Sequence, residues 1–581
     1  MEENRNFILA IVLTMIILFG WEFFFGMTPP PQEDTSISEN VDVTVSGGDI
    51  GVPSSAAGSM DSGGGIPGMA APVVNEFSAA RGDVIGSRTN VMIDNEKLVG
   101  SISLKGLRFD DLSLKKYHET VEPNSPIVTL LNPSESAKAY FGEFGWISDA
   151  KMPDANSVWS ANKSNLGAND SVVFTWDNGE GLLFTRTVAL DQDYMFTITQ
   201  QIQNNSDVTV GAATYGRVYR SGRSDQPPLF ILHEGPIRVG TDGKEEISYK
   251  DLEDDEYPRD QVSDGGWAGI TDKEWLVAVI PDQTQNFATN VFRTTQNGGE
   301  QFHVNFATNG VSIAPGATAE KTARFFAGAK EVALLDHYTE VESVRMFDYA
   351  IDWGWFYFIT KPIYIGLHFF YGVVGNFGIS ILLLTVVIKL ILFPMANKQY
   401  ESMARMKRLQ PKMQELKEKY GEDRAKMQQE TMEIYKREKV NPLASCLPIL
   451  IQIPIFFSLY KVLYVTIDMR QAPFYGWIKD LSAPDPLLVT NLFGLIPWEP
   501  TGFLAIGILP VFMGLTMYFQ QKLNPPPADP VQQKVFAFMP IIFTFILAGF
   551  SVGLVIYWTW NNILTIIQQW IIMRKVAAKE G

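Results

Sequence analysis

An apolar run from Gly378 to Pro394, just long enough to cross a bilayer, carries a lysine at position 389. A charge at that depth is costly, which makes an ionisable residue there a candidate functional residue by default. Thr385 lies one helical turn earlier, so its hydroxyl and the Lys389 ammonium share a face that should avoid lipid. The alternative is that Lys389, roughly 7 to 8 Å from the Pro394 end, snorkels its amine to the headgroups. Polar residues in later apolar segments need a partner to face, and that favours the interior position.

The rest of the chain has room for several such runs. Its 581 residues exceed one ordinary domain, and an apolar content of 46% with 12% aromatics is rich enough to predict further membrane segments. The net charge of -17 is unevenly spread: acids dominate before about residue 345 and bases concentrate between Lys398 and Lys439. That asymmetry points to membrane topology rather than to nucleic acid. The single cysteine, Cys446, excludes an internal disulfide and a multi-cysteine zinc site. His118, His233, His303, His337 and His368 are scattered without ligand spacing, so no metal and no cofactor are expected.

Read in order, residues 1–6 form a short polar start, and Phe7 to Phe25 is a nearly continuous apolar run interrupted by Glu22. No small-x-small cleavage pattern follows it, which predicts an uncleaved first anchor. Residues 26–74 are rich in Pro, Gly, Ser and acids, as a flexible linker would be. Over 75–330 short runs of alternating or β-branched apolar residues follow one another, and Asp177-Asn-Gly-Glu180 between two of them is a hairpin turn signal. An antiparallel β sandwich is predicted. It holds no nucleophile elbow, phosphate loop or paired carboxylates in a recognisable context, so no enzyme is expected.

Residues 331–377 combine a helical stretch with an aromatic segment broken by Pro362, suited to lie in the membrane interface. The spans Gly378 to Pro394, Pro442 to Thr466, Phe503 to Gln520, Val535 to Gly549 and Leu554 to Met573 complete a 378–573 core, before a 574–581 tail. The fold expected is thus a polytopic α-helical membrane protein of six spans, with a five-helix core and an all-β external domain. The loop between the second and third spans carries twelve bases from Lys398 to Lys439, which places it in the cytoplasm. Alternation then puts both termini inside and the β domain outside. That basic segment, 397–440, reads as a helical hairpin, because Met406, Leu409, Met413, Leu416 and Tyr420 are spaced 3, 4, 3, 4. Its stripe either packs on itself or, with Met403 and the bases Arg405, Lys407 and Arg408, meets an outside partner such as ribosomal RNA or anionic lipid.

In the last span, residues 558, 562, 565 and 569 fall at helical spacing and give Trp558, Asn562, Thr565 and Gln569 one face. Together with Gln452, Thr385 and Lys389 they are able to line a wet cavity, since only protein or water satisfies such groups at that depth. For any single amide, interhelical hydrogen bonding is the simpler reading.

Phe358-Ile-Thr-Lys-Pro, Val374-Gly-Asn-Phe-Gly-Ile-Ser380, Leu409-Gln-Pro-Lys412, Glu438-Lys-Val-Asn-Pro-Leu443, Leu450-Ile-Gln-Ile-Pro-Ile-Phe456, Arg470-Gln-Ala-Pro-Phe474 and Thr565-Ile-Ile-Gln-Gln569 occur in this order. In these motifs the chain resembles the YidC-type membrane protein insertases of Gram-negative bacteria. The resemblance implies a periplasmic β-supersandwich and a five-helix insertase core with a hydrophilic groove, in the bacterial inner membrane. It further implies action on nascent membrane proteins in the lipid bilayer, with the Sec translocon and the ribosome as partners. A positive residue of that groove, usually arginine, is replaced here by Lys389, and Thr385, Tyr557 and Trp558 fall at positions similar to the family's substrate contacts. An ion-coupled transporter would also bury a lysine, but no internal repeat or paired broken helices accompany it. A membrane-anchored periplasmic carbohydrate-binding or carbohydrate-modifying protein would leave the polar helical core without a purpose.

Overall fold

The structure, a computed structural model, describes residues 80–224, 232–254, 257–296, 299–420, 423–437, 447–498, 500–524 and 530–580. The expected first anchor and linker, and the 438–443 motif, lie outside them. The described residues fall into two compact units, one of 80–357 with Tyr464–Gln471, the other of Phe358–Leu463 with 472–580.

The first unit is a two-sheet sandwich of eleven and nine strands among the described residues. The strand Leu182–Leu190 shows why the chain folds this way: every second residue, from Leu182 through Phe184, Arg186 and Val188 to Leu190, is buried. It pairs antiparallel with Asp170–Asp177, Val188 opposite Val172. In the turn between them Asn178 Oδ1 accepts from the Glu180 and Leu182 amides, and Gly179 and Gly181 take φ of 74° and 90°. The two sheets meet through aromatic rings. Phe109 of one sheet lies 5.3 Å from Phe196 and 5.0 Å from Phe325 of the other, between ring centroids. One pairing departs from the expected antiparallel pattern, because Met92 and Ile93 run parallel to Asn165 and Leu166. Two residues suffice to close an edge and leave no alternation for sequence reading to find.

The second unit is helical. Helix Phe377–Ile391 starts where the Asn376 side chain accepts from the Ile379 amide at 3.0 Å. A Cβ at Gly378 would stand 2.1 Å from the Phe474 ring, so only glycine allows this approach. The expected span to Pro394 is shorter than read: the helix ends at Ile391, and Phe393–Arg408 follows at 68°. Pro394, at the start of the second helix, explains the break, since its ring excludes the carbonyl four residues back and its missing N–H costs nothing in a first turn. Pro362 acts differently. The helix Tyr357–Val374 continues through it rather than breaking, and leaves Phe358, Ile365, Phe369 and Val373 exposed on an apolar face.

The remaining helices of this unit are Gln410–Tyr420, Arg424–Arg437, Leu447–Val465, Ile508–Leu523, Pro530–Leu547 and Val552–Glu580. The third expected core span begins five residues later than read, and the last helix continues through the expected tail to Glu580. Among the described residues no single helix is long and apolar enough to cross a membrane, whereas the bent pair Phe377–Ile391 and Phe393–Arg408 is so together. Leu383, Val387 and Leu390 on the first of these, and Ile567, Trp570 and Ile571 on the last helix, are exposed, which suits a unit solvated by lipid.

Candidate functional site

Lys389 leaves helix Phe377–Ile391 toward the last helix, where its Nζ donates to Thr565 Oγ1 at 2.8 Å. The Thr565 hydroxyl in turn donates to the Asn561 carbonyl of its own helix at 2.6 Å. One hydroxyl thus receives the cation and discharges its own proton locally, the use a buried threonine has in an apolar helix. Among the described residues no carboxylate pairs with Lys389. Thr385 is buried one turn before it, and its hydroxyl donates to the Ile381 carbonyl at 2.6 Å. Trp560 fastens the same two helices by donating from Nε1 to the Leu382 carbonyl at 3.2 Å.

The other expected residues sort onto neighbouring contacts. Asn562 Nδ2 donates to Thr516 Oγ1 of helix Ile508–Leu523 at 3.2 Å, and Thr516 repeats the Thr565 arrangement by donating to the Met513 carbonyl. Gln569 Nε2 donates to Asn524 Oδ1 at 3.1 Å. Trp558 stands edge-on to Phe456 with ring centroids 4.5 Å apart, and buried Tyr557 lies nearly parallel to the same ring at 6.5 Å. Gln452 is half-buried one helical turn before Phe456. Ser458 Oγ on that helix and Gln568 Nε2 on the last are buried without a hydrogen-bond partner. A buried donor without a partner costs free energy and marks a place where water or a bound chain improves the structure.

The hairpin packs largely on itself. Buried Leu409 and Ile434 gather Met406, Met413, Leu416 and Tyr435, so the 3-4 stripe meets the returning helix Arg424–Arg437. Met403 joins Tyr400, Ala404, Ile572 and Val576 in a separate cluster with the last helix. Arg405, Lys407 and Arg408 are exposed.

Sequence reasoning put Thr565 on the polar face but not among the site residues, although its spacing from Asn561 and Asn562 was visible. Thr516 it missed altogether, because one hydroxyl inside an apolar helix gives no signal until the partner is known. No group of three or more His, Cys, Asp or Glu able to hold a metal occurs among the described residues.

Comparison with known proteins covers both units. The family described as 60Kd inner membrane protein matches residues 369–579, and the YidC periplasmic domain family matches 90–365. The membrane protein insertase YidC of Rhizobium meliloti (strain 1021) is 47% identical over 585 aligned residues, covering 100% of this chain and 97% of that protein. The protein of the same name from Rickettsia rickettsii (strain Sheila Smith) is 46% identical, with 98% of each chain covered. A crystal structure of an active YidC insertase with its first transmembrane domain resolved is 16% identical over 85% of this chain and 94% of that one, with a TM-score of 0.36. Both family matches and near-half identity along the whole length lead to one conclusion: the chain belongs to the YidC family, and it is an inner-membrane protein insertase with a periplasmic β domain that acts on nascent membrane proteins.

Proposed function

We propose that Lys389 is the positive end of a hydrophilic groove, lined further by Thr385, Gln452, Tyr557, Trp558 and Asn562, that receives the polar flank of an incoming chain. The observation that carries this is the Lys389–Thr565 contact: a half-buried cation held between two apolar helices by a hydroxyl rather than a carboxylate. A carboxylate partner would neutralise it, whereas a hydroxyl leaves its charge to act on acidic residues of a substrate. Moving a polar flank across lipid is opposed by desolvation, and a polar path shortens the unsolvated distance. The substrate's own apolar span then partitions into lipid, and the membrane potential adds about 2.3 kcal/mol per charge per 100 mV for acidic segments moving outward.

In this reading both termini and the basic 397–440 hairpin face the cytoplasm, because bases gather there. The ribosome and the Sec translocon are its partners, the first through exposed Arg405, Lys407 and Arg408. The β domain carries none of the groove residues, so removing about residues 80 to 320 is expected to leave insertion intact.

The test is insertion of a substrate with an acidic translocated tail, followed by protease protection. Lys389→Ala is expected to slow it, and Lys389→Arg to preserve or strengthen it, because guanidinium keeps its charge and adds a planar fork. Photocrosslinkers at Thr385, Tyr557 or Trp558 should trap the nascent chain. Normal insertion by Lys389→Ala, with crosslinks to lipid alone, would overturn the proposal.

A further inference from the structure

Between helices Leu447–Val465 and Ile508–Leu523 the chain runs through a long connection, which from Pro486 to Trp498 contains no charged residue. Loops that stand in water are ordinarily polar. Here Leu492, Phe493, Leu495, Ile496 and Trp498 are all exposed, Leu495 to 82%. An exposed apolar run of this kind marks an interaction surface.

The backbone of this tip is closed on itself. Leu492 donates to the Val489 carbonyl, Phe493 to Leu488, Gly494 and Ile496 to Asn491, Leu495 to Leu492 and Trp498 to Ile496, while Pro497 has no amide to satisfy. The polar side chains also turn inward. Thr490 Oγ1 donates to the Leu504 carbonyl at 2.8 Å, Asn491 Nδ2 donates to the Trp498 carbonyl at 3.4 Å, and Asn491 Oδ1 accepts from the Gly494 amide at 3.0 Å. This closure holds Leu492 at φ 50° and Phe493 at φ 61°, a left-handed region that non-glycine residues rarely adopt. Water would satisfy these amides without such strain. An amide that is already bonded, however, costs far less to carry out of water than a free one.

The connection is placed at both ends. Tyr464–Gln471, which follow helix Leu447–Val465, belong to the β unit, where Arg470 donates to the His118 carbonyl at 2.6 Å, so the connection begins on the periplasmic side. At the other end Leu488 bridges Gly507 and the Ile508 amide donates to the Leu487 carbonyl, which joins the base of the loop to the start of helix Ile508–Leu523. Val511 and Phe512 are exposed there on one face with Leu515 and Phe519, so the lipid-facing side of that helix reaches the loop. The helix has 16 residues. That is about 24 Å, short of the roughly 30 Å of hydrocarbon, and it sets the outer end near the acyl boundary.

We propose that the tip 490–498 is an interfacial anchor, seated among the glycerol groups and upper acyl chains of phospholipids in the periplasmic leaflet. A protein partner is recognised through a polar rim around an apolar centre. This tip offers no such rim, because Thr490 and Asn491 spend their polar atoms inside the loop. The inference rests on the membrane location and the periplasmic β domain, and does not depend on the groove at Lys389.

The full chain carries Cys446→Ser and one spin-labelled cysteine, from Leu495→Cys, Phe512→Cys or Val158→Cys, in vesicles of phosphatidylethanolamine and phosphatidylglycerol. Collisions of the label with oxygen, which concentrates in lipid, and with a water-soluble nickel chelate are measured. Val158, exposed on the β unit, gives the value in water, and Phe512 gives the value in lipid. At Leu495 the label should lose most of the nickel collisions seen at Val158 and gain oxygen collisions toward the level at Phe512. Phe493→Cys reads the same tip should Leu495→Cys not fold. Adding Leu495→Asp to the Phe493 label should restore nickel collisions, because a carboxylate draws the tip into water. Nickel collisions at the tip equal to those at Val158 would overturn the anchor. Loss of both oxygen and nickel collisions would also overturn it, in favour of cover by protein. So would a Phe493 label that Leu495→Asp leaves unchanged.

Discussion

The arginine–carboxylate pairs of the β unit and the lysine of the helical unit hold charge in different ways. In the β unit, three arginines come with carboxylates: Glu143 accepts from Arg108 at 2.8 Å and from Arg217 at 3.0 Å, and Arg220 meets Asp272 at 2.6 Å. In the helical unit Lys389 has a threonine hydroxyl. Paired charges inside a soluble sandwich specify which strands lie together, and their loss is felt as loss of structure. A cation left without a counter-charge between apolar helices contributes little to holding them together. Its charge remains available to act on something that is not part of the fold.

The largest expected effect tests the first half of that contrast. Glu143→Ala leaves Arg108 and Arg217 buried without their carboxylate and should destabilise the β unit by about 3–5 kcal/mol. Thermal melting of full-length protein in detergent, followed by hydrogen exchange in 90–330, measures it. Insertion of a substrate with an acidic tail should be retained. Equal loss of insertion would break the division between the units. Burial alone would raise the Glu143 carboxyl, but Arg108 and Arg217 outweigh burial and hold it below its usual range, so the stability it contributes is lost as pH falls through that lowered value.

Lys330 bounds the contrast from the alkaline side, because this β-unit cation, like Lys389, gives its hydrogen bond to a threonine hydroxyl. It is fully buried, its Nζ donates to Thr271 Oγ1 at 3.0 Å, and burial outweighs the pull of Asp272 and Glu274 to lower it from 10.5 to about 8. A lysine with a depressed folded value opposes folding wherever the unfolded chain carries it protonated. The penalty, about 3 kcal/mol in full, is present below pH 8 and lifts as pH rises toward 10.5. The β unit should therefore gain stability over that window relative to Lys330→Met, in which the penalty is absent throughout. Parallel pH profiles for the two proteins would refute this.

How far these features were legible depended on the range of the interaction. Alternation in Leu182–Leu190 and the Asn-Gly turn are local, and the strands follow from them. Lys389 announced itself because a charge interrupts an apolar run. Glu143 gave no such sign: it sits in Tyr140-Phe-Gly-Glu-Phe-Gly-Trp146, and its partners lie 35 and 74 residues away. Pro394 was visible but ambiguous, since a proline that ends one helix also starts the next, and only the 68° turn at Leu392 decides between them. The hairpin stripe left self-packing and an outside partner open until Leu409 and Ile434 were seen to meet.

In the helical unit Gly378→Ala is expected to cost about 1–3 kcal/mol, because the added Cβ would press on Phe474 at 2.1 Å and the ring or the helix must move. Helix Phe377–Ile391 carries Lys389, so a shift there should also slow insertion, unlike the loss in the β unit. Loss of stability without loss of insertion would show that the position of Lys389 matters less than its charge.

The smallest effect separates two contacts on one helix. Asn562 and Thr565 are three residues apart on Val552–Glu580, yet one meets the neutral Thr516 and the other the charged Lys389. A double-mutant cycle of Asn562→Ala with Thr516→Ala should give a coupling of about 0.6 kcal/mol, the usual size for a hydrogen bond between membrane helices. If the proposed groove operates, the loss of insertion in Asn562→Ala should be smaller than in Lys389→Ala, because removing an amide would weaken a tie and a polar wall, whereas removing the ammonium would abolish the proposed attraction for acidic residues. Equal losses would mean that polarity along the last helix, and not the charge facing it, is what an incoming chain requires.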